Sequence, residues 1–397
     1  MKLNIYKSFL PVTILALAVS VLISCNKDLP VAEPITTPAP TGSTILEFLA
    51  DPNYSILKAA VTKAGTNITN LLSDKSAVFT FFAPDDAAFQ RSGILTTAHL
   101  AGLRPGQIDT LLRYHLIGGQ KLTSANISSN FPNLQEPTML ALAPPSASLP
   151  PGLRMSIFPS KRGSNLFVNN IPITQADIAV ANGVVHRVAA LVAPPSQFLW
   201  NRINTDPDLT YLKAAIMRAD SGAAASSSLQ AALLNPAANL TIFAPNNLAF
   251  QQILTGQITL ALMAQGMPQA NAVATATALA GSPDVFNNPA LYSVLTATTV
   301  KGIVVYHILG VRAFSVNIPT TATSTPTLLN SAIPAHPGVS VQAVFGATGV
   351  TAATVKGAAN PSPSNILINP TPANNGTSDQ HYINGVIHII DQVLRPQ

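Results

Sequence analysis

Residues 80–90 read TFFAPDDAAFQ, and the chain repeats this stretch 161 positions later as TIFAPNNLAFQ, at residues 241–251. Three further blocks recur in the same order, with an offset that grows from 155 to 202 residues. They are Asp51-Pro52 with LKAAV at 57–61, matched by Asp206-Pro207 with LKAAI at 212–216; Tyr114-His115, matched by Tyr306-His307; and NGVVH at 182–186, matched by NGVIH at 384–388. An ordered series of this kind indicates a duplicated domain.

The length and composition agree with two folded units. The chain has 397 residues, of which 47% are hydrophobic and only 9% charged, which excludes disorder over the whole length. We predict a first domain at residues 44–194 and a second at residues 196–396. The second copy carries 31 extra residues between Gln251 and Tyr306, so we place an insertion at about 262–295 and expect it to add a helix or a cap.

Within each copy the pattern predicts helices first and strands afterwards, which is an α+β arrangement. Thr44 with Glu47 fits a capping box that opens a helix. Residues 78–83 are apolar on both sides, as in a buried strand, and Pro84 ends the run. Asp85 or Asp86 can then cap the short helix that presents Phe89, and Asn246 or Asn247 can do the same for Phe250. The later segments are rich in Val, Ile, Thr, Pro and Gly, which favours strands and hairpins.

The repeated blocks resemble those of the fasciclin domain family. The shared motifs are Thr-x-Phe-Ala-Pro-x-[Asp/Asn]-x-Ala-Phe, a Tyr-His pair after a central helix, and Asn-Gly-Val-x-His in the last strand, and both copies have all three. The matching residues are Pro84, Phe89, Asn182, Gly183 and His186 in the first copy, and Pro245, Phe250, Asn384, Gly385 and His388 in the second. The resemblance implies two tandem domains, each a twisted β-sandwich or wedge with helices packed against it. It also implies a role in adhesion or matrix contact, without catalysis.

The Tyr-His pairs allow two interpretations. His115 ends the stripe Ile108, Leu111, Leu112, and His307 ends a similar stripe, so each histidine shares a helical face with aliphatic residues. One interpretation is a core histidine whose ring nitrogens bond the backbone. The other, drawn from the family, is that Tyr114, His115, Tyr306 and His307 form a contact surface for a partner. Strand alternation places His186 and His388 on buried faces in the same way.

The N-terminal sequence predicts export and lipid anchoring. Lys2 and Lys7 precede the apolar run 9–23, and we interpret residues 1–24 as a signal peptide. Leu22-Ile23-Ser24-Cys25 resembles a bacterial lipobox, which implies acylation of Cys25. A plain signal peptide and an uncleaved anchor helix remain as alternatives. Residues 25–43 are rich in Pro and Thr and predict an extended tether.

Several classes of chemistry are not expected. Cys25 is the single cysteine, so we predict no disulfide framework and no multi-cysteine metal site. We expect no cofactor and no catalysis, because the common hydrolase, metalloprotease, phosphate-loop and calcium-loop motifs are missing from the sequence. His381 and His388 lie seven residues apart across a predicted turn, and a metal ion between them is an alternative. Lys161-Arg162 is the one adjacent basic pair, which argues against nucleic acid as a partner.

The leading hypothesis is a non-catalytic adhesion or matrix-contact module, anchored by lipid to a bacterial outer membrane on its periplasmic or cell-surface side. Its partner would be a protein or a polysaccharide, and the low charge content favours contacts through hydrogen bonds. The alternative hypothesis is an accessory glycan-binding lipoprotein of an outer-membrane uptake system. We expect the Ala-rich stretch 266–281 to form the contact surface.

Overall fold

The computed structural model describes residues 41–142, 152–346, 349–369 and 376–397. Cys25, the signal peptide and the tether up to residue 40 lie outside these ranges, and their predictions stay as predictions. The described chain is an α+β protein in which the same order of elements occurs twice. Within the described ranges, no helix combines the length and the apolar character needed to cross a membrane.

In each copy the α-helices precede every strand except the first. Those of the first copy are α1 (Ile45–Phe48), α2 (Ser55–Ala64), α3 (Thr66–Ser73), α4 (Asp86–Arg91) and α5 (Pro105–Tyr114). Those of the second copy are α6 (Leu199–Thr205), α7 (Thr210–Ala219), α8 (Leu229–Leu234), α9 (Asn247–Ala264), α10 (Gln269–Ala280) and α11 (Ala297–Tyr306). The predicted capping box is confirmed, since Glu47 N–H donates to Thr44 Oγ1 and Thr44 N–H donates to the Glu47 carboxylate.

The strands of the first copy form one six-stranded sheet and a separate hairpin. They are β1 (Phe79–Pro84), β2 (Leu116–Gly118), β3 (Glu136–Ala141), β4 (Arg154–Ile157), β5 (Pro159–Arg162), β6 (Asn165–Val168), β7 (Ile171–Val180) and β8 (Gly183–Val188). The sheet order is β2-β1-β8-β7-β6-β5, and β3 pairs with β4.

The second copy builds one sheet from all its described strands. They are β9 (Leu240–Pro245), β10 (Ile308–Leu309), β11 (Thr323–Thr325), β12 (Val339–Gly346), β13 (Gly349–Lys356), β14 (Ser364–Ile366), β15 (Gln380–Tyr382) and β16 (Gly385–Ile390). Their order is β10-β9-β16-β14-β13-β12-β11, with β15 paired to β16.

The first and the last of the repeated motifs form neighbouring strands, next to the edge strand of each sheet. In the first copy β1 runs parallel to β8 with Phe79 opposite Gly183, and in the second copy β9 runs parallel to β16 with Leu240 opposite Gly385. Every residue of β1 and of β9 is buried, as predicted for a strand covered on both faces. The repeated sequence blocks therefore form parallel strands that pair in the same register in both copies.

The extra length of the second copy is helical. Helix α4 ends at Arg91, whereas its counterpart α9 continues to Ala264 and is followed by α10. The buried residues of α10 are all small, Ala272, Ala276 and Ala280, which lets the two helices approach closely. The insertion thus adds an antiparallel helical hairpin, α9–α10, to the second copy.

The two copies contact each other through an apolar cluster and a few hydrogen bonds. Phe158 and Phe167 of the first copy pack with Phe314, Val316 and Val386 of the second. At the edge of this cluster the Arg162 guanidinium donates to the Val316 carbonyl over 2.9 Å and lies 3.9 Å from the centre of the Phe345 ring. Burial lowers the pKa of Arg162.

Candidate functional site

The first repeated motif caps two helices in each copy. Asp85 Oδ1 accepts from Ala88 N–H at the start of α4, and Asn246 Oδ1 accepts from Ala249 N–H at the start of α9, each over 2.8 Å. The next residue in each copy binds a different helix. Asp86 and Asn247 accept hydrogen bonds from backbone N–H groups in the first turns of α2 and α7. These polar positions therefore hold helices in place.

The histidine of each Tyr-His pair joins a helix to the segment after the last strand. The His115 ring donates from Nδ1 to the Leu111 carbonyl over 2.8 Å, and its Nε2 accepts from Val192 N–H over 3.0 Å. His307 makes the same two bonds, donating to Ile303 and accepting from Leu394 N–H. Both ring nitrogens of each histidine are thus occupied by backbone groups.

Burial keeps these imidazoles neutral. It lowers the pKa of His115 and of His307 from 6.5 to about 4, and the hydrogen bond from each ring to a carbonyl opposes only part of that effect. A group that stays neutral across the physiological range and has no free nitrogen is a poor general acid or base.

The tyrosine of each pair is buried as well. Tyr114 donates its hydroxyl proton to the Ser156 carbonyl, and Tyr306 donates to the Gly338 carbonyl. Because Tyr114, His115, Tyr306 and His307 are each at most 1% exposed, their side chains cannot themselves form the contact surface expected from the family resemblance. The burial and the hydrogen bonds of these side chains are those of the core-histidine interpretation.

The histidine of the last strand is also used internally. His186 donates from Nε2 to the Leu122 carbonyl, and His388 donates from Nε2 to the Ala313 carbonyl, each over 2.8 Å. The free Nδ1 of each ring accepts a backbone N–H, from Asp177 in the first copy and from Asp379 in the second. Burial lowers the pKa of His186.

Asp177 and Asp379 lie at equivalent positions in the two copies and form the same hydrogen bonds, which were not predicted from the sequence. Both have positive φ, 61° and 54°. Each carboxylate accepts from the backbone N–H and the hydroxyl of one serine, Ser124 in the first copy and Ser315 in the second. The sequence does indicate that these two aspartates are equivalent, because each lies five residues before the Asn-Gly pair of its copy.

The Asn-Gly pair ties the first helix of each copy to its sheet. Asn182 Oδ1 accepts from Ile45 N–H and its Nδ2 donates to the Leu72 carbonyl, while Asn384 makes the same two kinds of bond with Leu199 and Leu233. The following glycines are required sterically. A Cβ at Gly183 would lie 2.0 Å from the Phe79 carbonyl oxygen, and one at Gly385 would lie 2.6 Å from that of Leu240.

His381 is not placed as a metal ligand. It lies half-buried between the copies, where its Nε2 accepts from the Arg312 guanidinium over 2.8 Å and its ring packs against Phe158 and Phe314. Burial, and to a smaller extent the Arg312 charge, hold the pKa of His381 well below its usual value. Among the described residues, no group of three or more His, Cys, Asp or Glu side chains could hold a metal ion.

The candidate contact surface is therefore the outer side of the α9–α10 hairpin. Leu260 is 69% exposed and Leu248 58% exposed, and Met263 and Val273 are also exposed. Residues 221–283 contain no Asp, Glu, Lys, Arg or His. The hairpin thus presents an uncharged, partly apolar face, and it includes most of the stretch 266–281 that the sequence singled out.

A second candidate is a groove of about 510 Å³ between the two copies. The first copy contributes Phe131 and Pro132, and the second contributes mainly hydroxyl and amide side chains. The lining residues of the second copy are Gly310, Val311, Thr323, Ser324, Thr325, Pro326, Thr327, Leu328, Asn330 and Ser331. Hydroxyl groups beside an apolar ring suit a neutral ligand that carries both hydroxyl groups and C–H faces.

The model of the fasciclin domain matches residues 52–194 and residues 220–396. The chain is also similar to the transforming growth factor-beta-induced protein ig-h3 of Sus scrofa, with 29% identity over 160 residues. That alignment covers 40% of this chain and 20% of the pig protein, so the chain spans about a fifth of the length of this relative.

Among solved structures, the chain is similar to a FAS1 domain pair from the insect cell adhesion molecule fasciclin I. The TM-score is 0.33 at 16% sequence identity, and the match covers 88% of this chain and 95% of the other.

Proposed function

Because the chain belongs to the fasciclin domain family, we propose that it is a non-catalytic adhesion module which contacts its partner through the α9–α10 hairpin. Fasciclin domains are adhesion-related modules, and both copies of the motif are present here. The observation that carries the proposal is the uncharged hairpin with exposed Leu248 and Leu260. Contiguous exposed apolar surface marks interaction sites.

The repeated histidines support a non-catalytic role. All four imidazoles of the two motifs have both ring nitrogens bonded to the backbone. The four repeated histidines thus stabilise the fold, and we expect a partner to be recognised by the exposed faces of the protein.

The test of the contact surface is a binding experiment on the full chain. The labelled protein is applied to an array of matrix proteins and polysaccharides, and Leu260→Lys is compared with Leu95→Lys, since Leu95 is a leucine of the first copy that is 55% exposed. We expect Leu260→Lys to lose at least about tenfold in binding with an unchanged melting temperature, and Leu95→Lys to bind as wild type. Equal binding by both variants would remove the hairpin as the contact surface.

The chain is further proposed to be a bacterial lipoprotein anchored to the outer membrane through Cys25. The support is the lipobox-like run that ends in Cys25, behind an apolar signal sequence. Labelled palmitate should enter the wild-type protein expressed in a Gram-negative host and should be lost in Cys25→Ala. Protease treatment of intact cells then distinguishes the cell-surface side from the periplasmic side. Unchanged labelling in Cys25→Ala would refute the anchor.

A glycan-binding role in an uptake system is the second candidate, favoured by the groove between the copies. Its lining of threonine, serine and asparagine side chains beside Phe131 offers hydrogen bonds and a ring for a sugar face. If this role is correct, Phe131→Ala should abolish binding to the polysaccharide spots of the array and spare the protein spots. Polysaccharide binding that survives Phe131→Ala would exclude the groove.

A further inference from the structure

The second copy contains a cavity of about 740 Å³ beside helix α11. Its walls come from α9, from α11, from the residues around the short helix Leu328–Ser331, and from residues 393–397. Most of the lining side chains are aliphatic or aromatic, among them Phe250, Ile253, Leu254, Phe286, Ile303 and Val304. The volume lies within the range of about 300–1,000 Å³ that is usual for small-molecule sites.

This cavity depends on the part of the second copy that the first copy lacks. Leu254 and Gln257 lie on α9 beyond Gln252, the position that corresponds to the end of α4 at Arg91. The longer helix therefore supplies a wall that has no helical counterpart in the first copy.

The charged side chains at the cavity are cationic. Lys301 and Arg395 are among the lining residues, and no Asp or Glu side chain is. The Arg395 guanidinium donates to the Ala359 carbonyl, whereas Lys301, which is partly exposed, makes no hydrogen bond or ion pair with any described residue. An apolar chamber with an ammonium group at its wall matches a molecule that has a long apolar chain and an anionic head.

We propose that this cavity binds a single-chain amphiphile of the long-chain fatty acid class, with its hydrocarbon chain among the residues of α9 and α11 and its carboxylate at Lys301. The site is separate from the outer side of the hairpin, so it can bind its ligand whether or not the hairpin mediates adhesion.

Gly302 offers a clean way to fill the cavity. It lines the cavity on α11, its φ is not positive, and no atom lies within 4 Å of a Cβ built there. Gly256 on α9 also has free space around its Cβ but does not line the cavity, which makes it the matched control.

The test is a fluorescence titration of the full chain with cis-parinaric acid, a fluorescent fatty acid, and with its methyl ester. We expect saturable binding to the wild type, at least about tenfold weaker binding to Gly302→Phe, and unchanged binding to Gly256→Phe. Lys301→Gln should weaken binding of the acid several-fold and leave binding of the ester unchanged. Failure of the wild type to bind, or equal binding by Gly302→Phe, would overturn the site. Equal loss of acid and ester in Lys301→Gln would overturn the assignment of the head group.

Discussion

Acidification should weaken the fold through the buried motif histidines. The folded chain holds His115 and His307 neutral with a pKa of about 4, against 6.5 in the unfolded chain. Between these values the unfolded chain binds protons that the folded chain does not, so the free energy of unfolding falls as the pH falls. The contribution of each histidine is complete above pH 6.5 and is lost as the pH decreases towards about 4.

The size of this effect follows from the two pKa values. One pH unit of difference corresponds to about 1.4 kcal/mol, so each of the two histidines should cost about 2–3 kcal/mol at pH 4.5. Both rings are at most 1% exposed, so solvent does little to reduce this value.

The assay is urea unfolding followed by tryptophan fluorescence, because Trp200 is the single tryptophan and lies in the core of the second copy. His307→Gln should be less stable at pH 7 by about 1–3 kcal/mol for each unpaired backbone group. It should also lose part of the pH dependence between pH 6.5 and 4.5. His99→Gln, at an exposed position, should follow the wild type. A His307→Gln variant whose stability changes with pH as steeply as the wild type would refute the reasoning.

The remaining predictions concern the ties within and between the copies. Asn384→Ala leaves two buried backbone groups unpaired and should lower the free energy of unfolding by about 1–3 kcal/mol for each, measured by urea titration against the wild type. Gly183→Ala should destabilise the first copy by more than about 1 kcal/mol, because its Cβ would meet the Phe79 carbonyl. Gly256→Ala, at an open position in a helix, should stabilise the second copy by about 0.5–1 kcal/mol. A higher melting temperature for Gly183→Ala than for Gly256→Ala would contradict this account. Arg162→Ala removes hydrogen bonds that join the copies and should split one calorimetric transition into two. A single unchanged transition would show that the remaining contacts, among them the apolar cluster, couple the copies without Arg162.

The sequence predicted the elements whose causes are local. The Thr44–Glu47 capping box, the buried strand β1 and the helix that ends at Tyr114 all depend on residues within a few positions of one another, and all three are observed. The α+β class followed from the order of helical and strand-like segments within each copy. The family followed from the repeated blocks, two of which form the parallel pair of strands in each copy.

What the sequence could not show depends on contacts between distant residues. The partners of Asn182 lie 110 and 137 residues away, and those of His381 include two rings from different copies. A pattern of apolar spacing indicates that His115 points inward, but not which carbonyl it bonds. The choice between Asp85 and Asp86 as the cap of α4 also needed the structure, since Asp86 caps a helix 30 residues earlier.

The central claim, that the repeated histidines are internal ties of the fold, is tested most directly by nitrogen NMR of the full chain labelled at histidine. At pH 7 the account predicts His115 and His307 with the proton on Nδ1, and His186 and His388 with the proton on Nε2, each as a single tautomer. Mixed forms that exchange freely with solvent at these four positions would contradict it.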